Sequence, residues 1–180
     1  ENFFQVKTIE KPDNIEFLFQ LKNGLAHPIS KLSYNISRST YKLDLKISSS
    51  EPISIKIRAN QTLHPENIVG LGGLYNGTSL ISFSPEGIEK MKQASILNDP
   101  EKFWHGARSR FWSFLISPSE TVTSYSIKDI DTESNSFVLN SNSESGEYHF
   151  IFYFGPIERS SLISVSSKLK DLLYTALWDW

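Results

Sequence analysis

Five short runs in the first third of the chain, FFQVKTI, IEFLFQL, KLSYNIS, YKLDLKI and ISIKIRA, alternate apolar and polar residues with a period of two. Successive side chains of a β-strand point to opposite faces, so each run reads as a strand with one buried face. In TYKLDLKI, Tyr41, Leu43, Leu45 and Ile47 point one way, and Lys42, Asp44 and Lys46 point to water. Turn formers separate the runs: Pro12-Asp13-Asn14, Asn23-Gly24, Ser39-Thr40, and the stretch from Ser48 to Pro52. Strands at roughly ten-residue spacing with such turns between them indicate a sandwich or barrel, because a parallel sheet needs crossover helices. The expected class is all-β, opening with an antiparallel meander.

The middle is less regular. Gly70, Gly72 and Gly73 form a cluster, followed by a hairpin-like Asn76-Gly77 before SLISF. The cluster lacks the Lys-Ser/Thr ending of a phosphate loop and no apolar helix follows it, so it reads as a plain loop. Ser84 can cap a short helix with Pro85 at its first position, although Gly87 weakens it. KFWHGARSRFWSFLISP is the most apolar stretch, and from Phe111 to Ile116 large residues occupy both faces, which fits a central strand covered on both sides. Trp104 and Trp112 are expected in its core. TVTSYSIKDI, NSFVLN and EYHFIFYF complete the strands, with residues from Asn140 to Gly146 as the loop of a hairpin.

After Gly155-Pro156 the period changes. Leu162, Val165, Leu169, Leu173, Ala176 or Leu177, and Trp180 follow a spacing of three and four, which predicts one helix of several turns with an apolar stripe. Pro156 removes a ladder donor and fixes φ, so it ends the last strand and sets the entry to the helix. The expected division is a β-sandwich over residues 1–156 and, over residues 157–180, a membrane-proximal helix packed on it.

A chain of 180 residues suits one domain with a core of its own. A formal charge of −2, with Lys and Arg scattered singly, provides no basic stripe, so nucleic acid is not an expected partner. Absence of cysteine removes disulfides and thiolate metal sites. No stretch approaches the ~20 apolar residues of a membrane span. The start at ENFF, without Met, fits a piece of a longer protein from which any signal or membrane segment is missing. Sequons at Asn35, Asn60 and Asn76 read as chance matches in a chain rich in Ser and Thr.

Catalytic chemistry has little to stand on. His27, His64, His105 and His149 show no metal-ligand spacing, and neither metal nor cofactor is expected. Glu147 and His149 share a strand face, and His64 lies two residues from Glu66. Such a pair could serve as base and acid on a sugar hydroxyl, but a solvated cross-strand pair is the plainer reading. Phe103, Trp104, Phe111, Trp112 and Phe114 could line a cleft, though aromatic residues on a central strand are usually core. Arg108 and Arg110 read as exposed positions or weak ion pairs. No nucleophile elbow occurs, and no enzyme activity is expected.

Two segments together resemble a known family. Trp104, Phe111 and Pro118 in FWHGARSRFWSFLISP, and Tyr153, Gly155, Pro156, Leu162, Leu169 and the terminal aromatic residues in FYFGPIERSSLISVSSKLKDLLYTALWDW, are similar to passages of the large periplasmic domain of the bacterial membrane-protein insertases of the YidC/Oxa/Alb family. The resemblance implies an antiparallel β-supersandwich like that of galactose mutarotase, with helical elements at its C-terminal end. It implies a non-enzymatic interaction or scaffolding module at the periplasmic face of the inner membrane. The implied partners are Sec translocon components and nascent membrane proteins, with the membrane reached through flanking spans absent from this chain. With Trp112 from the central strand and Leu173 from the helix stripe, the candidate interaction or structural residues are Trp104, Phe111, Trp112, Gly155, Pro156, Leu162, Leu169 and Leu173. The alternative is a carbohydrate-binding or carbohydrate-modifying β-sandwich, in which Glu147 and His149 would act.

Overall fold

Alternation in the first strands becomes cross-strand register. A computed structural model describes residues 3–60, 79–84, 87–90, 97–98, 104–109, 111–119, 122, 124–131, 136–144 and 146–173. Strands β1 (Phe4–Glu10), β2 (Asn14–Leu21), β3 (Ile29–Ser37) and β4 (Lys42–Ser49) pair in sequence order, all antiparallel, as the turn residues between them require. The sheet continues through β13 (Glu147–Pro156), β10 (Trp112–Pro118), β9 (His105–Arg108), β6 (Ser79–Ser84) and β7 (Gly87–Lys90). A second antiparallel sheet has the order β5 (Ile55–Asn60), β12 (Ser136–Asn142), β11 (Ser124–Asp131) and β8 (Leu97–Asn98).

The buried face expected of every run is missing at the sheet's edge, where β1 has no buried residue, Val6 is 58% exposed and β2 is half-buried on both faces, because these strands extend past both cores; from β4 inward, period-two alternation sorts the sheet into two faces. Leu45, Ile47, Leu80, Ala107, Ile116, Tyr148 and Phe150 face the small sheet and bury against Leu139, with Ile55 packed beside them. Residues one step away, Ile81, Phe83, Leu115 and Tyr153, bury on the opposite face under Leu162, Leu169 and Leu172. Strands β6, β10 and β13 are therefore covered on both sides, and each carries neighbouring apolar residues that face opposite ways: Leu80 and Ile81, Ile116 and Leu115, Phe150 and Ile151. Tyr148 fastens the chain entering β5: its hydroxyl accepts from the Ile53 N–H at 2.7 Å and donates to the Ile53 carbonyl.

The C-terminal cover is a short helix α1 (Arg159–Val165) followed by a 3-10 segment, Ser167–Asp171. The single helix expected from the spacing is interrupted at Ser166, whose backbone is extended at φ −157° and whose side chain accepts from the Lys168 N–H. The interruption changes the buried stripe. Leu172, three residues after Leu169 as the tighter 3-10 turn dictates, is fully buried, whereas Leu173 is half-buried.

Other expectations are corrected. Instead of a helix after Ser84, β6 and β7 form a hairpin pairing Ser84 with Gly87, whose φ of +138° lies outside the helical region. The stretch from His105 to Pro118 is two paired strands, with Ser109 Oγ accepting from the Trp112 N–H at 3.1 Å in the turn. Residues from Asn140 to Gly146 do not close a hairpin, because β12 lies in the small sheet and β13 in the large one. Arg108, expected near solvent, is buried. Trp104 is buried at 5% exposure, but Trp112 at 42% and Phe111 at 55% are not core residues, because β10 emerges from beneath the small sheet at that end. His64, Glu66, the cluster at Gly70, Gly72 and Gly73, Asn76-Gly77, Phe103, Arg110, Ala176, Leu177, Trp178 and Trp180 lie outside the described residues.

Candidate functional site

Two places on the large sheet carry chemistry. The first follows from the outward residues of β3, β4 and β13. Register sets Glu147 opposite Ser48 and His149 opposite Lys46, so both side chains are brought to the face that also carries Lys42 and Asp44. His149 reaches diagonally to Asp44, with Nε2 2.9 Å from Oδ1, while Lys42 Nζ lies 3.0 Å from Oδ2. Burial alone would raise the Asp44 carboxyl, but the hydrogen bonds from His149 and Lys42, with the Lys42 charge, outweigh it and hold the group below its ordinary value. On the neighbouring strands Ser33 Oγ donates to Glu16 at 2.8 Å. Beside the His149–Asp44 pair lies an open groove of about 390 Å³ lined by Glu16, Lys31, Ser33, Lys46, Glu147 and His149.

The groove mixes signs. Two lysines, a histidine and two glutamates suit hydrogen bonding to a polar or hydroxylated group more than capture of a simple anion. Glu147 and His149, paired in the sequence argument, do meet at one groove, but the imidazole is turned to Asp44. Among the described residues no cluster of three His, Cys, Asp or Glu side chains could hold a metal ion. A second His contact, which periodicity did not flag, joins Ser82 Oγ and His105 Nδ1 at 2.9 Å. It has the partners of a nucleophile and base, yet both residues are sealed in the core, and burial pushes the His105 pKa down to about 4. Only the pairing of β6 with β9 sets these two residues side by side.

The second place is the end of β13. The Tyr153 hydroxyl donates to the Pro156 carbonyl at 2.5 Å and locks the Gly155-Pro156 corner. Burial raises the Tyr153 pKa, helped by the Glu158 carboxylate, so this hydroxyl stays protonated as a donor. Gly155 is required by a close approach: a Cβ there would lie 2.5 Å from Tyr41 Cγ. Immediately beyond, the Ile157 N–H donates to the Phe111 carbonyl at 2.7 Å, and α1 begins. Leu162 and Leu169 are fully buried under this cover.

Around the corner lie rings that the core does not absorb. Tyr41 is 45% exposed and Phe154 52%, beside Trp112 and Phe111. Their centroids form a chain: Tyr41 to Trp112 at 6.2 Å, Trp112 to Phe154 at 6.2 Å, and Phe154 to Phe114 at 6.1 Å.

Comparison with known proteins adds only a remote likeness of fold. No protein-family profile and no curated protein matches the sequence. Among solved structures the chain is similar to a galactose mutarotase-like protein from Clostridium acetobutylicum, with 10% identity and a TM-score of 0.39 over 84% of this chain. The match covers 65% of that protein's length.

Proposed function

We propose that this chain is the periplasmic domain of a YidC-like membrane-protein insertase, a non-enzymatic interaction or scaffolding module held at the outer face of the bacterial inner membrane. The observation that supports it is the junction at Gly155-Pro156. A central strand ends in a corner fixed by Tyr153 and Tyr41, and the chain passes at once into a helical cover packed on the sheet by Leu162, Leu169 and Leu172. Such a junction fixes the direction in which the chain leaves its last strand, as a domain standing on a membrane needs. Sec translocon components and nascent membrane proteins are the partners proposed with it. The test is the gene on either side of the codons for Glu1 and Trp180. One hydrophobic span upstream and several downstream are expected, and their absence overturns the proposal.

A second proposal, carbohydrate binding, is favoured by the groove at His149. Its polar side chains converge from β2, β3, β4 and β13, and Asn35 Oδ1, in register between Glu16 and Asp44, is buried without a hydrogen-bond partner in the chain. Titration with hexoses and their oligomers, read by amide shifts at Ser33, Lys46 and Glu147, distinguishes the two. Saturable shifts lost in Glu147→Gln favour the carbohydrate reading, and rapid anomer interconversion would extend it to catalysis.

A further inference from the structure

We infer that the aromatic shelf at the end of β10 and β13 is a lipid-contact surface whose ligand is the boundary between headgroups and acyl chains of a bilayer. The inference rests on the membrane-tethered reading above and names which surface of the domain meets the lipid.

Burial changes steadily along the two strands that carry the shelf. On β13, Phe150 is fully buried, Phe152 half-buried and Phe154 exposed; on β10, the same course runs through Ile116, Phe114 and Trp112. Both progressions open at the same end, because Trp112 pairs with Pro156 and Phe114 with Phe154. That end is also where the chain turns through Gly155-Pro156 into its helical cover, with Tyr41 packed against Gly155. The shelf therefore sits at the corner where the chain leaves the large sheet and enters its helical cover.

The chemistry of the rings selects among occupants. An extended sugar chain stacks best on a broad common platform, but Tyr41 stands at 85° to Trp112, and Trp112 at 43° to Phe154, so these three rings build none. A second copy of the chain needs area. Four half-exposed aromatic side chains offer on the order of 400 Å², against about 800 Å² on each partner of a stable interface. A fluid interface requires neither flatness nor shape complementarity. It favours Trp and Tyr, whose apolar rings enter the acyl boundary while their polar tips stay among headgroups. Tyr41 at 45% and Trp112 at 42% exposure present their polar tips near water, and among the described residues neither the hydroxyl nor the indole N–H makes a hydrogen bond.

The experiment uses the whole 180-residue chain labelled with fluorotryptophan and tethered through a C-terminal tag to neutral phosphatidylcholine vesicles carrying a nitroxide at headgroup level. Fluorine NMR reads the tryptophans separately, and Trp112→Phe assigns the signal of Trp112. The expected result is a Trp112 signal broadened at least threefold more than that of buried Trp104. Without the tether, Trp112→Ser combined with Phe154→Ser should lower vesicle partitioning at least tenfold while circular dichroism stays that of the parent. A Trp112 signal as sharp as that of Trp104 on the vesicle, or partitioning unchanged in the double variant, overturns the inference. So does a Trp112 signal that broadens with protein concentration in the absence of lipid, which would assign the shelf to a second copy. If the gene carries the expected spans and Trp112 stays sharp, only this inference fails. If the spans are missing and Trp112 broadens, lipid contact stands and the insertase reading fails.

Discussion

His105 shows how one side chain can set the acid limit of the fold. Its imidazole is buried against Ser82, and burial depresses its pKa from 6.5 to about 4. The unfolded chain therefore binds the proton more readily, so stability is fully present above pH 6.5, falls as pH drops through the window, and stops falling below about 4. At 1.36 kcal/mol per unit the loss is on the order of 3 kcal/mol. Urea midpoints measured between pH 7 and pH 4 should show this slope, and His105→Asn should flatten it; an unchanged slope in the variant would assign the acid sensitivity to other groups. Gly155 answers to contact instead of charge. Gly155→Ala drives a methyl into Tyr41, at an expected cost of about 1 to 3 kcal/mol, as overpacking usually does. Tyr41→Ala in the same chain should recover part of that loss. If it recovers none, the tight fit over Gly155 is not what the glycine serves.

Elements divide the two tryptophans that sequence reasoning treated alike. Trp104 precedes β9 and is buried under the helical cover, so Trp104→Ala should cost about 3 to 5 kcal/mol. Trp112 begins β10 beyond the small sheet, and Trp112→Ala should cost well under half of that, read from the same urea midpoints. Equal losses would mean that Trp112 is core after all. The helical cover is held by few residues: Leu169→Ala should cost about 2 to 5 kcal/mol, because Leu169 is fully enclosed. An unmoved midpoint would show the cover to be detached in solution. Strands β1 to β4 were legible because period-two alternation and turn residues are local signals. The break at Ser166 was not, since the residues before and after it keep a helical spacing and only packing shows the change of phase. Likewise, exposure of Trp112 depends on how far the small sheet reaches, which no local pattern encodes. Glu147 and His149 could be placed on one face from their spacing, but Asp44 and Lys46 joined them only through the pairing of β13 with β4.

The whole molecule is organised around β13, which carries Phe150 into the core between the sheets and Tyr153 into the core beneath the helical cover. Two cores sharing one strand should unfold together. Near-ultraviolet and far-ultraviolet dichroism are therefore expected to give one coincident urea transition, and separated transitions would mean that the helical cover is an independent unit. The position of β13 also has a consequence for timing. It lies between β4 and β10, so the sheet begun by the earliest residues has an empty lane until β13, the last strand described, is available. A chain emerging residue by residue, from a ribosome or through a translocation pore, cannot close this fold until Pro156 has passed. The first four strands can pair with one another early, but they join the rest of the sheet only when β13 enters its lane, so closure comes late and in one step.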